Sequence, residues 1–386
     1  MRRIAVAHSN KPILFILYII LIVLLFYRLE SVPPVWYDEG WILSVARNWV
    51  EYQHYGQLLN GDPIPVTLTN TGKPAIALYM LSFKFLGVGG YQGRLISALL
   101  TLINIGLLYH LASKLYNPSI GLASVLICLL VLPSISFNTA INPIIIGRQA
   151  MGEMPALFYL LLGCVSFVHS NKNIYIGTLL TVIFWGLAGL TKLQLLPSLI
   201  ACLSVPIGVM LIQRDWRSLK LYSYILCGLL LFFFFFRGFS PVLDPRINPD
   251  SQKQLLSITA FVPIISKMNI DHALSTLLVF SPPAVVGFVY SLIKWFKNKR
   301  QRKLSNNELL ELSLISLGLS WILWFIFLSV GWTRHLFIPS FIGSIFIATL
   351  MQNLGYSLKG KRGINKSINL FNTSRPISQN VTRFLF

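Results

Sequence analysis

Uncharged apolar runs of about 18 residues recur from end to end of this chain, and a helix of that length spans the hydrocarbon of a bilayer. They lie near residues 12 to 29, 94 to 111, 119 to 137, 153 to 169, 173 to 190, 193 to 212, 219 to 236, 273 to 293, 312 to 330 and 336 to 352. Of the 386 residues, 55% are hydrophobic and only 11% are charged, more apolar surface than a water-soluble core can enclose. Hydrocarbon offers the backbone no hydrogen-bond partner, so each run must satisfy its own amides as a helix. The expectation is an all-α polytopic membrane protein with about ten to eleven spanning helices. Residues 1 to 358 read as one integral domain and 359 to 386 as a tail. The first run is too long for a removable signal and no small-residue cleavage site follows it, so it is expected to remain as a span.

The lysines and arginines set the expected orientation, because cytoplasmic loops retain them. With the N-terminus inside, the inner segments hold 20 of the 32, including six between Lys294 and Lys303 and six after Leu358. Acidic residues show the reverse bias, with only Asp215, Glu308 and Glu311 of the 12 inside. The net charge of +20 is therefore spread over loops that face anionic lipid head groups, and no nucleic-acid motif accompanies it.

Residues 74 to 86 are apolar but short, and Lys84 interrupts them. As a span they would turn the basic 294 to 303 loop outward, so they read as an interfacial or re-entrant helix. The first outer loop then runs from residue 31 to 93. Within it, Trp41, Ile42, Val45, Trp49 and Val50 recur at helical spacing over 39 to 54, which predicts an amphipathic helix at head-group depth. Just before it stands Trp36-Tyr37-Asp38-Glu39-Gly40. The plainer role for Asp38 is to cap that helix; a capped helix start also holds a carboxylate in a fixed orientation.

Five of the spans contain no Asp, Glu, Lys or Arg at all. Ion-coupled carriers place ionisable groups near the midplane at a cost of at least about 2.5 kcal/mol each. Here the charged residues gather at the expected outer ends instead: Asp38, Glu39, Lys73, Arg94, Arg148, Glu153, Lys192, Arg237 and Arg334. Taken singly, each is explained as a snorkelling residue that ends a span. Together they form a chemically useful set, since carboxylates can deprotonate a hydroxyl or hold a divalent ion and the cations can bind a phosphate leaving group.

Trp36-Tyr37-Asp38-Glu39, Lys73-Pro74, Gly93-Arg94-Leu95-Ile96-Ser97-Ala98-Leu99-Leu100, Gly147-Arg148 followed by Glu153, Gly189-Leu190-Thr191-Lys192 and Arg334-His335 with Pro339 come in an order that resembles the GT-C glycosyltransferases. The closest resemblance is to the ArnT and protein O-mannosyltransferase-like enzymes, and it extends from about residue 12 to 345. It implies a GT-C fold and transfer of a sugar from a polyprenyl-phosphate donor to a hydroxyl of a lipid, glycan or protein acceptor, with inversion and without a nucleotide cofactor. Asp38 would be the reaction-centre carboxylate and Glu39 its immediate support. Lys73, Arg94, Arg148, Lys192 and Arg334 would face the donor phosphate. Glu153 would be a second acidic residue where the family commonly has Asp, able with Asp38 to hold a divalent metal. His335 stands where Tyr is frequent. The implied setting is a bacterial inner membrane with the site facing the periplasm.

Other features are weaker. Glu51 and His54 share the face of the expected surface helix, which an exposed polar stripe explains. Gly87 to Gly93 is glycine-rich but follows no strand and reads as a turn. Cys128, Cys164, Cys202 and Cys227 lie in spans and read as apolar packing residues. The outer loop 238 to 272 is broken by prolines. The basic tail is expected to be disordered, and the larger soluble C-terminal domain that some relatives carry is not expected in this sequence. The rival reading is a lipid or lipid-linked-sugar flippase without covalent chemistry, which would need a polar path across both leaflets that these spans do not supply.

Overall fold

The computed structural model describes residues 11 to 59, 62 to 64, 71 to 130, 141 to 170, 173 to 236, 267 to 299, 304 to 329 and 331 to 372. The outer loop expected at 238 to 272 lies largely outside them. The elements in chain order are α1 (Lys11–Phe26), α2 (Tyr37–Glu51), a hairpin of β1 (Gln57–Leu59) with β2 (Asp62–Ile64), α3 (Lys73–Leu86), α4 (Gly90–Leu115), α5 (Pro118–Leu130), α6 (Pro143–Ile146), α7 (Glu153–His169) and α8 (Ile174–Thr191). They continue with α9 (Leu195–Gln213), α10 (Trp216–Phe236), α11 (Lys267–Phe280), α12 (Pro282–Lys299), α13 (Asn306–Leu328), a 3₁₀ turn (Thr333–Leu336) and α14 (Phe337–Asn372).

This is a multi-pass integral membrane protein. Among the described residues six helices are long and apolar enough to cross a bilayer, and α1, α5 and α7 are shorter apolar helices. The run at 273 to 293 is not one straight span. It breaks between α11 and α12, whose axes differ by 88°. The cause is Pro282-Pro283, since a proline lacks the N–H and crowds the carbonyl of the preceding turn.

The centre is formed by α13 and α14, in each of which 78% of the spanning window is buried, against 22% for α10. Accordingly α10 presents Phe234 and Phe235 outward, where lipid is the natural neighbour. Small residues allow the close approaches: the Trp185 ring of α8 lies against Gly163 of α7 and donates to the Leu160 carbonyl at 3.2 Å.

The bundle has two distinct polar ends. At one, Tyr116 donates to Glu311 (2.8 Å), Asn117 to Gln352 (3.2 Å) and Asn307 to the Lys114 carbonyl (3.2 Å), joining the end of α4 and the start of α5 to α13 and α14. At the other meet the turn after α1, the starts of α2, α4 and α7, the end of α8 and the 3₁₀ turn.

The first loop is folded onto that second end. The apolar stripe of α2 does not lie free: Ile42, Val45 and Ala46 pack with Ala75, Ile76, Tyr79 and Phe83 of α3. Glu39 at the third helical position accepts from the Trp36 N–H (3.4 Å), so it, and not Asp38, reaches back to the helix start. The helix ends at Glu51, which pairs with Arg47 at 2.7 Å, and His54 lies beyond it. The Glu51 and His54 face therefore does not exist. At the far end of the chain α14 continues to Asn372, through the basic stretch expected to be disordered.

Candidate functional site

Three carboxylates at the second end are paired with a cation of another element, each in a different surrounding; Glu30, in the turn after α1, is exposed. Glu39 is fully buried and receives a two-point ion pair from Arg94, Nε to Oε1 at 2.7 Å and Nη2 to Oε2 at 2.6 Å. The Ala150 N–H donates to the same Oε1 at 2.9 Å. Arg94 Nη1 reaches the carbonyls of Leu29 (3.0 Å), Glu30 (3.2 Å) and Pro33 (2.7 Å). One guanidinium thus ties α4 to α2 and to the turn after α1.

Arg148 has a related role. Its Nη1 donates to the Leu24 carbonyl (2.9 Å), its Nη2 to those of Tyr27 and Arg28, and its Nε to that of Val32 (3.0 Å). These are carbonyls at and just beyond the end of α1, which lack intrahelical partners, and a guanidinium satisfies several at once. Sequence alone grouped Arg94 and Arg148 with the phosphate-facing cations. The structure instead turns both toward backbone carbonyls and, for Arg94, toward Glu39.

Glu153 opens α7 and is buried; its Oε1 accepts from Lys192 Nζ at 2.8 Å while Oε2 has no partner. Lys192 follows the last residue of α8. Its approach is set by Gly152, where an added Cβ would sit 2.8 Å from Lys192 Cε and 2.6 Å from Thr71 Oγ1. The Glu153 carboxylate also feels the charges of Arg334 and His335, so Glu153, Lys192, Arg334 and His335 form one cluster.

Asp38 joins that cluster from above. Its Oδ2 pairs with Arg334 Nη2, and the Arg334 guanidinium lies 4.6 Å from the centre of the Trp332 ring. The Asp38 side chain is 35% exposed, whereas those of Glu39 and Glu153 are 0% and 5% exposed. His335 is buried, with Nδ1 3.0 Å from Ser329 Oγ and Nε2 without a partner. The Trp321 indole donates to its carbonyl at 2.7 Å. An arginine Nε at 334, one histidine nitrogen and one carboxylate oxygen are thus left buried and unpartnered in a small volume, which is unusual unless a polar ligand completes them.

Lys73 is the first residue of α3. Its ammonium lies over the rings of Trp49 (5.2 Å) and Tyr55 (5.0 Å), which hold it by cation–π attraction. Just before it, the Gly72 N–H donates to the Thr191 carbonyl at 2.9 Å, so Lys73 and Lys192 emerge from adjoining backbone. Sequence reasoning missed these glycine contacts; the signal was a glycine directly before each charged residue, Gly72-Lys73 and Gly152-Glu153.

The donor set does not fit a divalent metal. Asp38 and Glu153 are each neutralised by a cation, and among the described residues no group of three or more His, Cys, Asp or Glu converges.

Residues 73 to 243 match the family model for dolichyl-phosphate-mannose-protein mannosyltransferases. Similar solved structures include ArnT from Cupriavidus metallidurans bound to undecaprenyl phosphate, with a TM-score of 0.60 and 16% identity, covering 92% of this chain and 63% of that one. Its apo state gives the same TM-score. The fold is that of the GT-C glycosyltransferases. The archaeal oligosaccharyltransferase AglB from Archaeoglobus fulgidus, in complex with an inhibitory peptide and a dolichol-phosphate, also aligns, with a TM-score of 0.52, 12% identity and coverage of 96% of this chain and 53% of that one. The chain spans a little under two thirds of the ArnT length. No curated protein matches the sequence.

Proposed function

We propose that this chain transfers a sugar from a polyprenyl-phosphate carrier to an acceptor hydroxyl at the outer surface of a bacterial inner membrane. The observation that carries the reading is the exposure of Asp38: of the three carboxylates at this end that pair with a cation of another element, it is the one that can be reached from outside. ArnT was solved with undecaprenyl phosphate and AglB with a dolichol-phosphate, which supports a lipid-linked donor here.

Asp38 acts as the general base. It takes the proton of the acceptor hydroxyl as that oxygen bonds to the anomeric carbon, and the carbon–oxygen bond to the phosphate breaks on the opposite side, inverting the configuration. The phosphate keeps the electron pair and leaves toward Arg334, Lys192 and Lys73. These cations stabilise the charge that develops there. Arg334 holds Asp38 in the free protein, so a donor phosphate that claims this guanidinium also releases the carboxylate to act. Glu153 holds the Lys192 ammonium in place, and Glu39 with Arg94 fixes the first turn of α2 beneath Asp38. No step requires a metal or a nucleotide.

The test is transfer of radiolabelled sugar from a panel of polyprenyl-phosphate sugars by purified protein. Consumption of one donor should fall by about 10²- to 10⁴-fold in Asp38→Asn, the scale of a lost general base, with thermal stability unchanged. Absence of turnover with every donor, together with lipid movement in vesicles that survives Asp38→Asn, would make the protein a flippase.

A further inference from the structure

A second site adjoins the first on α2. Tyr37, Gly40, Trp41 and Ser44 fall at the spacing that aligns residues along one face of a helix. With Trp36 and Gln57 they line an open cleft of about 370 Å³, at the small end of the range for ligand sites. Its walls are aromatic: the Tyr37 and Trp41 rings lie 5.5 Å apart, inclined at 49°, and Tyr37 is 68% exposed. Its polar groups are held in place. Ser44 Oγ lies within hydrogen-bond reach of two acceptors, the Trp41 carbonyl (2.9 Å) and Gln57 Oε1 (3.0 Å), which share its one proton, and Gln57 Nε2 donates to the Trp41 carbonyl (3.3 Å). Gly40 leaves the cleft open, since a Cβ there would meet nothing within 4 Å.

None of the described residues lining this cleft is charged. A phosphate would find no cation, and a prenyl chain would leave the oriented hydroxyl and amide without a use. A pyranose ring suits both features, with its C–H face stacked on an aromatic ring and its hydroxyls bonded to a fixed neutral amide and hydroxyl. The position matters as much as the chemistry. Asp38 and Trp41 are three residues apart on α2 and so are neighbours on its surface. A sugar stacked on Trp41 lies within one helical turn of the carboxylate.

We infer that this cleft is the acceptor subsite and takes a neutral sugar residue, so that the acceptor is a glycan and not a polypeptide or a lipid phosphate. The inference rests on the transferase reading. The new bond joins a hydroxyl oxygen of this sugar to the anomeric carbon of the donor, the bond from that carbon to phosphate oxygen breaks, and the proton passes to Asp38.

Saturation-transfer NMR on protein in phosphatidylcholine nanodiscs, free of glycoside detergents, tests the cleft without needing turnover. The probes are methyl glycosides of glucose, galactose, mannose and N-acetylglucosamine, and the disaccharides built from them. At least one should bind the wild type, bind at least tenfold more weakly to Gly40→Leu, and bind normally to Asp38→Asn. A Cβ at Gly40 meets nothing within 4 Å and leucine favours a helix over glycine, so Gly40→Leu is expected to obstruct the cleft in a folded protein, checked by an unchanged melting temperature. No bound glycoside, or binding undiminished in Gly40→Leu, overturns the inference, as does loss of undecaprenyl phosphate binding in that variant, which would put the lipid in the cleft. Glycoside binding at the cleft in a protein that consumes no donor would sink the transferase reading and leave a saccharide-binding site.

Discussion

Arg94, in the second turn of α4, and Arg334, in the 3₁₀ turn before α14, stand at the same end of the bundle and each faces a carboxylate of the Asp38-Glu39 pair, yet they do opposite work. The Arg94 pair with Glu39 is closed to solvent on both sides. Its loss would leave a buried carboxylate without its cation, which costs about 3 to 5 kcal/mol. Arg94→Met is therefore expected to lower the melting temperature sharply in the same detergent in which Arg334→Met barely changes it, while Arg334→Met abolishes transfer in a protein that remains folded. Equal melting temperatures for the two variants would refute the distinction. Glu153 and Lys192 are a second closed pair, so Glu153→Gln and Lys192→Met should each destabilise more singly than in combination, as measured by a double-mutant cycle on thermal unfolding. The sequence made every one of these residues visible as a charge at the end of an apolar run. It could not say which way each would face, because the partners lie on other helices: Glu39 is set by an arginine 55 positions along the chain and Arg148 by carbonyls of the first helix.

Among the elements, the position of α3 depends on one close approach. Gly72 has an ordinary φ of −76°, so its backbone conformation does not call for glycine; the space does. An added Cβ would sit 1.7 Å from the Leu190 carbonyl oxygen at the end of α8. Backbone cannot swing aside as a side-chain tip can, and overpacking of this kind costs about 1 to 3 kcal/mol or more. Gly72→Ala should therefore lower the melting temperature and the transfer rate together, because it moves Lys73 away from Lys192, whereas Gly40→Ala, which meets open space, should leave stability intact or raised. Differential scanning fluorimetry beside the transfer assay reads both. At this scale periodicity was informative. The stripe of Ile42 and Val45 announced α2, and the short run interrupted by Lys84 announced α3 as something other than a span. Two features were read too simply. The Pro282-Pro283 break was hidden inside a continuous apolar run, and the stripe of α2 was assigned to lipid head groups although α3 covers it. An apolar face shows that something will bury it, not what.

For the whole molecule, the arrangement of the two polar ends makes a prediction about the membrane. The contacts at one end bring together the turn after α1, the starts of α4 and α7, the end of α8 and the turn before α14; those at the other join the end of α4 with the start of α5 and of α13. Helices that alternate in this way place the first turn of α2 and the loop between α12 and α13 on opposite surfaces. Six cations lie between Lys294 and Lys303, Lys294, Lys297 and Lys299 at the end of α12 and three more before α13, and cations are retained on the cytoplasmic side. On the proposed function the Asp38 end is then expected to face outward, where it would meet a lipid-linked sugar that has crossed the membrane. The assignment can be checked on a chain whose four native cysteines, three of them buried, are replaced by alanine. A cysteine introduced at the exposed Tyr52 should react with a membrane-impermeant maleimide added to intact spheroplasts, and one introduced at Lys297 only after the membrane is opened. The reverse pattern would turn the site to the cytoplasm and remove the outward-facing mechanism, because one inversion of the bundle moves Asp38, Arg334 and the Trp41 cleft together.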